Sequence, residues 1–169
     1  QYVKSLFPNK KKVYFIQGYE TWAMPENDVR KTYQRGFTNI VVAEWLKKIV
    51  DDEAGTPSIL IKNPVDIGIY RCSIPLRKRR KYSIAFLYHE NECKGTVYAL
   101  KTIEKLKKMY PDLDVNSFGT VKKPIGLLEG TKYTYCASQA QTVEIYNKSE
   151  VFLCTTIEEG YGLTGLEAM

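Results

Sequence analysis

The sequence is poor in groups that hold metals. It has one histidine, His89, and four cysteines, Cys72, Cys93, Cys136 and Cys154, none of them in a CxxC pair. Zinc sites need three or four N or S ligands in a tight set, so a zinc-dependent fold or reaction is not expected. No apolar run approaches the ~20 residues that cross a bilayer. Residues 1–12 are polar and basic and contain no apolar h-region. A secretory signal is therefore not expected, and the cytoplasm is the default location. There is no long internal repeat and no low-complexity tract. Cys136 and Cys154 sit inside apolar runs and are expected to be buried thiols.

What is present is ordinary in bulk. The chain has 169 residues, 44% hydrophobic and 26% charged, with a net charge of +6. That is enough for one compact core, or for one domain and part of another. The chain opens on Gln1 and stops at Met169 inside a helical pattern, so the natural protein is expected to continue on both sides. The positive excess is local: Lys10-Lys11-Lys12 is one run and Arg77-Lys78-Arg79-Arg80-Lys81 another. Such runs suit anionic partners, and the second predicts a peripheral contact with the inner membrane face. The plainer reading is a solvated linker. No aromatic residues interleave with these cations, so nucleic acid is not an expected partner.

Short β-rich runs alternate with amphipathic stretches. Strands are predicted over 12–17, 39–42 and 58–62, with helices over 28–35 and 44–52 between them. Asn63-Pro64 closes this block, and residues 66–80 show little periodicity and read as a connection. The alternation then restarts. Strands are predicted over 83–88, 114–118, 132–136 and 151–154, the last of them buried. Helices are predicted over 95–110, 139–147 (capped by Ser138) and from 162 onward. Strands separated by helices predict parallel βαβ units. The fold class is therefore α/β, with two Rossmann-like parallel sheets truncated at both ends. The expected division is 1–66, a connection over 67–82, and 83–169. Tyr19 to Trp22 is read as a packed aromatic loop.

The most informative segment is the last one. A strand at 151–154 runs into a loop holding Glu159, Gly160, Tyr161 and Gly162, and then into a helix starting near Leu163 and carrying Glu167. This places a helix amino end at the carboxyl edge of a parallel sheet, where unpaired N–H groups and the helix dipole favour a diphosphate. Glycine lets the backbone approach such a group closely. Glu167 lies four residues beyond Leu163, on the same helix face as the start of the turn. Two carboxylates at two depths fit a nucleotide sugar, one for the hexose and one for the ribose.

Residues 159–169 read E-G-Y-G-L-T-G-L-E-A-M. This resembles the two-glutamate motif E-G-[FY]-G-L-x-x-x-E-A-M of the retaining glycosyltransferases of family 4, which have the GT-B fold. The resemblance implies that Glu159 contacts the donor sugar, that Glu167 contacts the ribose, and that amides near Gly162 and Leu163 hold the diphosphate. That family also carries an arginine and a lysine-glycine pair after the first strand of its donor domain. Lys94-Gly95 takes the place of the second, and His89 stands where the arginine would be. Asn63-Pro64-Val65-Asp66 resembles the family's N-G-V-D segment. The stretch before Tyr146 resembles the part that meets the base, which implies backbone contacts from Ala137 and Ser138.

The implied reaction transfers a glycosyl group from a nucleoside-diphosphate sugar to a hydroxyl of a saccharide or lipid-linked acceptor, with retention. Glu159 and Lys94 would be the catalytic residues, with no metal and no cofactor. Polysaccharide or glycoconjugate biosynthesis is the expected setting. The isolated chain is expected to bind donor weakly and not to turn over. An epimerase of the same fold is the second reading, disfavoured by the single histidine. A non-catalytic module for anionic polymer or membrane is the third.

Overall fold

The computed structural model describes residues 5–169. The chain forms two compact units, one ending at Pro64 and the other comprising Val65–Met169. The residue 66/67 and 82/83 boundaries read from the sequence thus fall inside the second unit. The expected first-domain start, at residues 1–4, lies outside the described residues.

In the first unit, β1 (Val13–Ile16), β2 (Thr38–Val41) and β3 (Ile59–Leu60) form a parallel sheet in that order. The helices α1 (Glu26–Tyr33) and α2 (Glu44–Ala54) connect them. Val29 and Tyr33 on α1 and Leu46 and Val50 on α2 are buried, one per helical turn, as are Ile16 and Val41 of the sheet. Trp22 is 71% exposed, which corrects the expectation of a packed aromatic loop. Tyr19 is tied down, its hydroxyl donating to Glu26 at 2.8 Å.

The end of α2 is fastened by one carboxylate. Asp51 accepts from the Lys47 amino group at 2.6 Å and from the Ser58 amide and hydroxyl at 2.6 and 2.5 Å. Burial pushes this carboxyl up, but the bonds from Lys47 and Ser58 outweigh it and hold it below its ordinary 3.8. A depressed folded-state pKa contributes stability that is full above the ordinary value and lost as pH falls through the lowered one. Asp51→Asn should therefore lower stability at neutral pH and flatten the acid limb below about pH 4. Urea midpoints taken at several pH values would show it.

The second unit holds a four-stranded parallel sheet in the order β6-β5-β4-β7. Its strands are β4 (Ser83–Tyr88), β5 (Asp114–Gly119), β6 (Lys132–Tyr135) and β7 (Val151–Leu153). The helices are α3 (Thr96–Met109), α4 (Gln139–Lys148) and α5 (Leu163–Glu167). β4 is central, and all its residues but Leu87 are buried, as parallel strands covered on both faces require. Ile84, Phe86 and Tyr88 alternate onto one face and pack with Ala99 and Ile103 of α3. Small residues, Ser83, Ala85 and Ser117, are buried as well. α4 starts with a capping box, in which Ser138 accepts from the Gln141 amide while the Gln141 side chain accepts from the Ser138 amide.

Two cysteine expectations are corrected. Cys136 and Cys154 are exposed, because each lies just past the end of a strand and not within it. The strand at 151–153 is half-exposed rather than buried, since it forms the edge of the described sheet.

The connection is not loose. Asn147, 5% exposed near the end of α4, accepts from the amides of Ser73 and Ile74 at 2.8 and 3.2 Å and donates to the Arg71 carbonyl at 3.0 Å. Arg79 donates to the carbonyls of Ile74, Tyr146 and Ser149 at 3.0, 3.2 and 2.8 Å. Two of these carbonyls close the carboxyl end of α4, where a cation is favoured. Arg79 is thus removed from the solvated basic run in which the sequence placed it, and Arg80 lies 3.4 Å from Asp114. Asn147→Leu should cost about 2 kcal/mol or more, because it leaves a buried cluster of bonds unmade. A denaturant titration would measure that cost, and faster proteolysis between 67 and 82 would accompany it.

Candidate functional site

In open α/β sheets, ligands bind outside the carboxyl ends of the strands where the strand order reverses. Here that point lies between β4 and β7, since β5 and β6 fall on one side of β4 and β7 on the other. Two loops meet there: 89–95 after β4 and 154–162 after β7.

They meet closely. Gly95 has φ +64° and precedes α3, and a Cβ built on it would lie 1.9 Å from the Thr155 carbonyl oxygen. Only glycine tolerates both conditions. The Cys93 carbonyl accepts from the amides of Ile157 and Glu158 at 2.7 and 3.4 Å. This docking brings the Lys94 amino group to 2.7 Å from Glu159 Oε1, with the two side chains 27% and 28% exposed. Residues 65 apart in sequence thus form a half-buried ion pair at the switch point.

His89 follows directly on β4. Its amide donates to the Thr96 hydroxyl at 3.0 Å, and that hydroxyl donates to the His89 carbonyl at 2.6 Å. Its Nδ1 accepts from the Asn91 amide at 2.9 Å. With Nδ1 an acceptor, the neutral ring carries its hydrogen on Nε2.

The glycine-rich turn ends in Gly162, at φ +82°, and opens into α5 at Leu163. Tyr161 and Gly160 precede it. Glu167 does not join the Lys94–Glu159 pair. Its Oε2 lies 3.5 Å from the Tyr146 hydroxyl. It lines a pocket of about 270 Å³ together with Tyr70, Arg71, Arg79 and Tyr146. The two glutamates of the motif are therefore directed to two places, one across β7 and one toward α4. At the start of α4, the Ser138 amide is taken by Gln141 and its carbonyl by Thr142, so Ala137 is the freer of the two residues expected near a base.

Sequence reasoning missed Tyr70 and Asn147. It also missed one Asp-x-Asp spacing, Asp112-Leu113-Asp114, of the kind that holds a metal in some transferases. That pair stands at the amino end of β5, away from the strands' carboxyl edge. Asp114 is engaged by Lys132 at 2.8 Å and by Arg80 at 3.4 Å. Among the described residues, no group of three or more His, Cys, Asp or Glu side chains is placed to hold a metal ion. No helix among them is long and apolar enough to cross a membrane.

No family model matches the sequence, and no curated protein matches it. Solved structures match in fold. The pneumococcal O-GlcNAc transferase GtfA, in complex with UDP and GlcNAc, is similar at a TM-score of 0.70, with 17% identity over 98% of this chain and 37% of its own. TarM is similar at a TM-score of 0.73, with 16% identity over 95% of this chain and 34% of its own. A TarM variant from S. aureus, in complex with fondaparinux, α-GlcNAc-glycerol and UDP, gives 0.70, 17%, 95% and 35%. The chain thus spans about a third of the length of these structures. The likeness establishes the fold: α/β with parallel sheets, of the kind found in GT-B glycosyltransferases.

Proposed function

We propose that this chain binds a nucleoside-diphosphate sugar and forms the donor-side part of a retaining, metal-independent glycosyltransferase. The Lys94–Glu159 pair at the switch point carries this reading. A cation there neutralises the diphosphate, first on binding and then more strongly as charge builds on it during departure. The amides near Gly162 and Leu163 and the Nε2–H of His89 add donors. The Asn91 amide, donating to Nδ1, leaves Nε2 as the ring nitrogen that faces a ligand. Glu159 orients the sugar by accepting from its hydroxyls. Glu167 accepts from the ribose, and Ala137 meets the base. The acceptor is a saccharide or a lipid-linked glycan, in polysaccharide or glycoconjugate synthesis in the cytoplasm. Arg77, Lys78 and Lys81, all exposed, supply any contact with an anionic membrane face.

A thermal-shift series with UDP-, GDP- and dTDP-sugars tests the proposal. A ligand that binds only the folded state raises the midpoint, by an amount that grows with concentration. One series is expected to do so. No shift with any of them, at concentrations up to the millimolar range, would rule the reading out.

A further inference from the structure

The second glutamate of the motif is held from two sides by tyrosines. Tyr146 is 6% exposed and wedged edge-on between Phe118 and Phe152, with ring centroids 5.7 and 5.0 Å away. That packing leaves its hydroxyl one direction, toward Glu167 Oε2 at 3.5 Å. Tyr70 comes from the connection, with its ring 6.4 Å from that of Tyr146, and it lines the same pocket as Glu167, where burial, and then the Glu167 charge, hold its phenol above the ordinary value. The strap bearing Tyr70 is itself fixed, through Asn147 to Arg71, Ser73 and Ile74. Burial, and then the Glu167 charge, push the Tyr146 phenol far up, so it stays protonated and acts as a donor. A phenol donates one hydrogen and an ionised carboxylate only accepts.

We propose that Tyr70 and Tyr146 are positioning residues that fix the Glu167 carboxylate so that it accepts the 2′- and 3′-hydroxyls of the donor's ribose. A free glutamate samples several rotamers. One clasped by two phenols keeps its remaining lone pairs in one direction, which suits a vicinal diol. The strap over 65–79 is then part of the nucleoside site and not only a tether. This inference rests on the proposed function, in which Glu167 meets the ribose.

The test compares UDP and GDP with their 2′-deoxy counterparts by calorimetric titration of the 169-residue chain. The proteins are wild type, Glu167→Gln, and Tyr70→Phe/Tyr146→Phe. Phenylalanine keeps the ring packing, and midpoints of thermal unfolding check that the fold survives. Wild type should prefer the ribonucleotide by about tenfold or more, as expected for a hydrogen bond to a charged acceptor. Glu167→Gln should lose most of that preference, and the double phenylalanine variant should lose it to within about threefold. If Glu167→Gln loses the preference and the phenylalanine variant keeps it, the positioning role is overturned and the ribose contact stands. If Glu167→Gln keeps it, or no ribonucleoside diphosphate binds, the ribose contact falls and this inference with it.

Discussion

Replacing Gly95 by alanine is expected to destabilise the second unit by about 3 kcal/mol or more and to abolish nucleotide binding. Two effects add. The backbone sits at φ +64°, which an L side chain resists at about 1 kcal/mol or more. The new methyl would also lie 1.9 Å from the Thr155 carbonyl oxygen, and that backbone atom cannot turn aside. The loop 154–162 must therefore leave the 92–95 turn, taking Glu159 away from Lys94. Gly126→Ala is the matched control. It has φ +77° and only an ordinary 3.5 Å contact with Leu100, so it should show the backbone cost alone, about 1 kcal/mol. Chemical denaturation of both variants would separate the clash from the dihedral cost. Equal losses would mean that the two loops are not packed as described.

The second large effect concerns charge. Lys94→Ala should weaken binding of both UDP and a UDP-sugar by about 10- to 100-fold, the range for a hydrogen bond between two charged groups. It removes the cation and also leaves Glu159 uncompensated beside an incoming diphosphate. Glu159→Gln should behave differently. It releases Lys94 from a 2.7 Å ion pair, so UDP should bind as well as before or better. The UDP-sugar should lose whatever Glu159 contributed to the hexose. The ratio of UDP-sugar to UDP affinity therefore falls in Glu159→Gln and holds in Lys94→Ala. Parallel titrations would check this, and a purely structural ion pair would weaken both ligands alike in both variants.

Much of this was legible in the residues. The alternation of β-rich and helical periods predicted every strand and helix named above to within two residues, β3 being the most shortened, over Ile59–Leu60. Parallel pairing followed from the intervening helices. The glycine-bearing turn after β7 also stands where its pattern placed it. What was not legible depends on contacts distant in sequence. Asn147 and Arg79 act on segments about 70 residues away, and no local period marks them. Arg79 in particular was hidden in a basic run whose members look alike until the fold selects one of them to close α4. Apolar neighbours made Cys136 and Cys154 look buried, but both lie one residue past a strand end, where the chain turns outward. Gly95 was read as the opening of a helix. That Thr155 lies against it follows only from β7 pairing with β4. Glu159 and Glu167 share one short motif, yet β7 and α4 divide their surroundings, and spacing alone does not show that division.

Two-dimensional amide NMR of the chain during titration with UDP-GlcNAc would examine the donor pocket itself. The expected result is saturable shifts concentrated at 93–96 and 158–163, with smaller ones at 137 and 167, and their move to about 10- to 100-fold higher ligand concentration in Lys94→Ala. Saturable shifts confined to other surfaces, or none with any nucleoside-diphosphate sugar, would contradict the account.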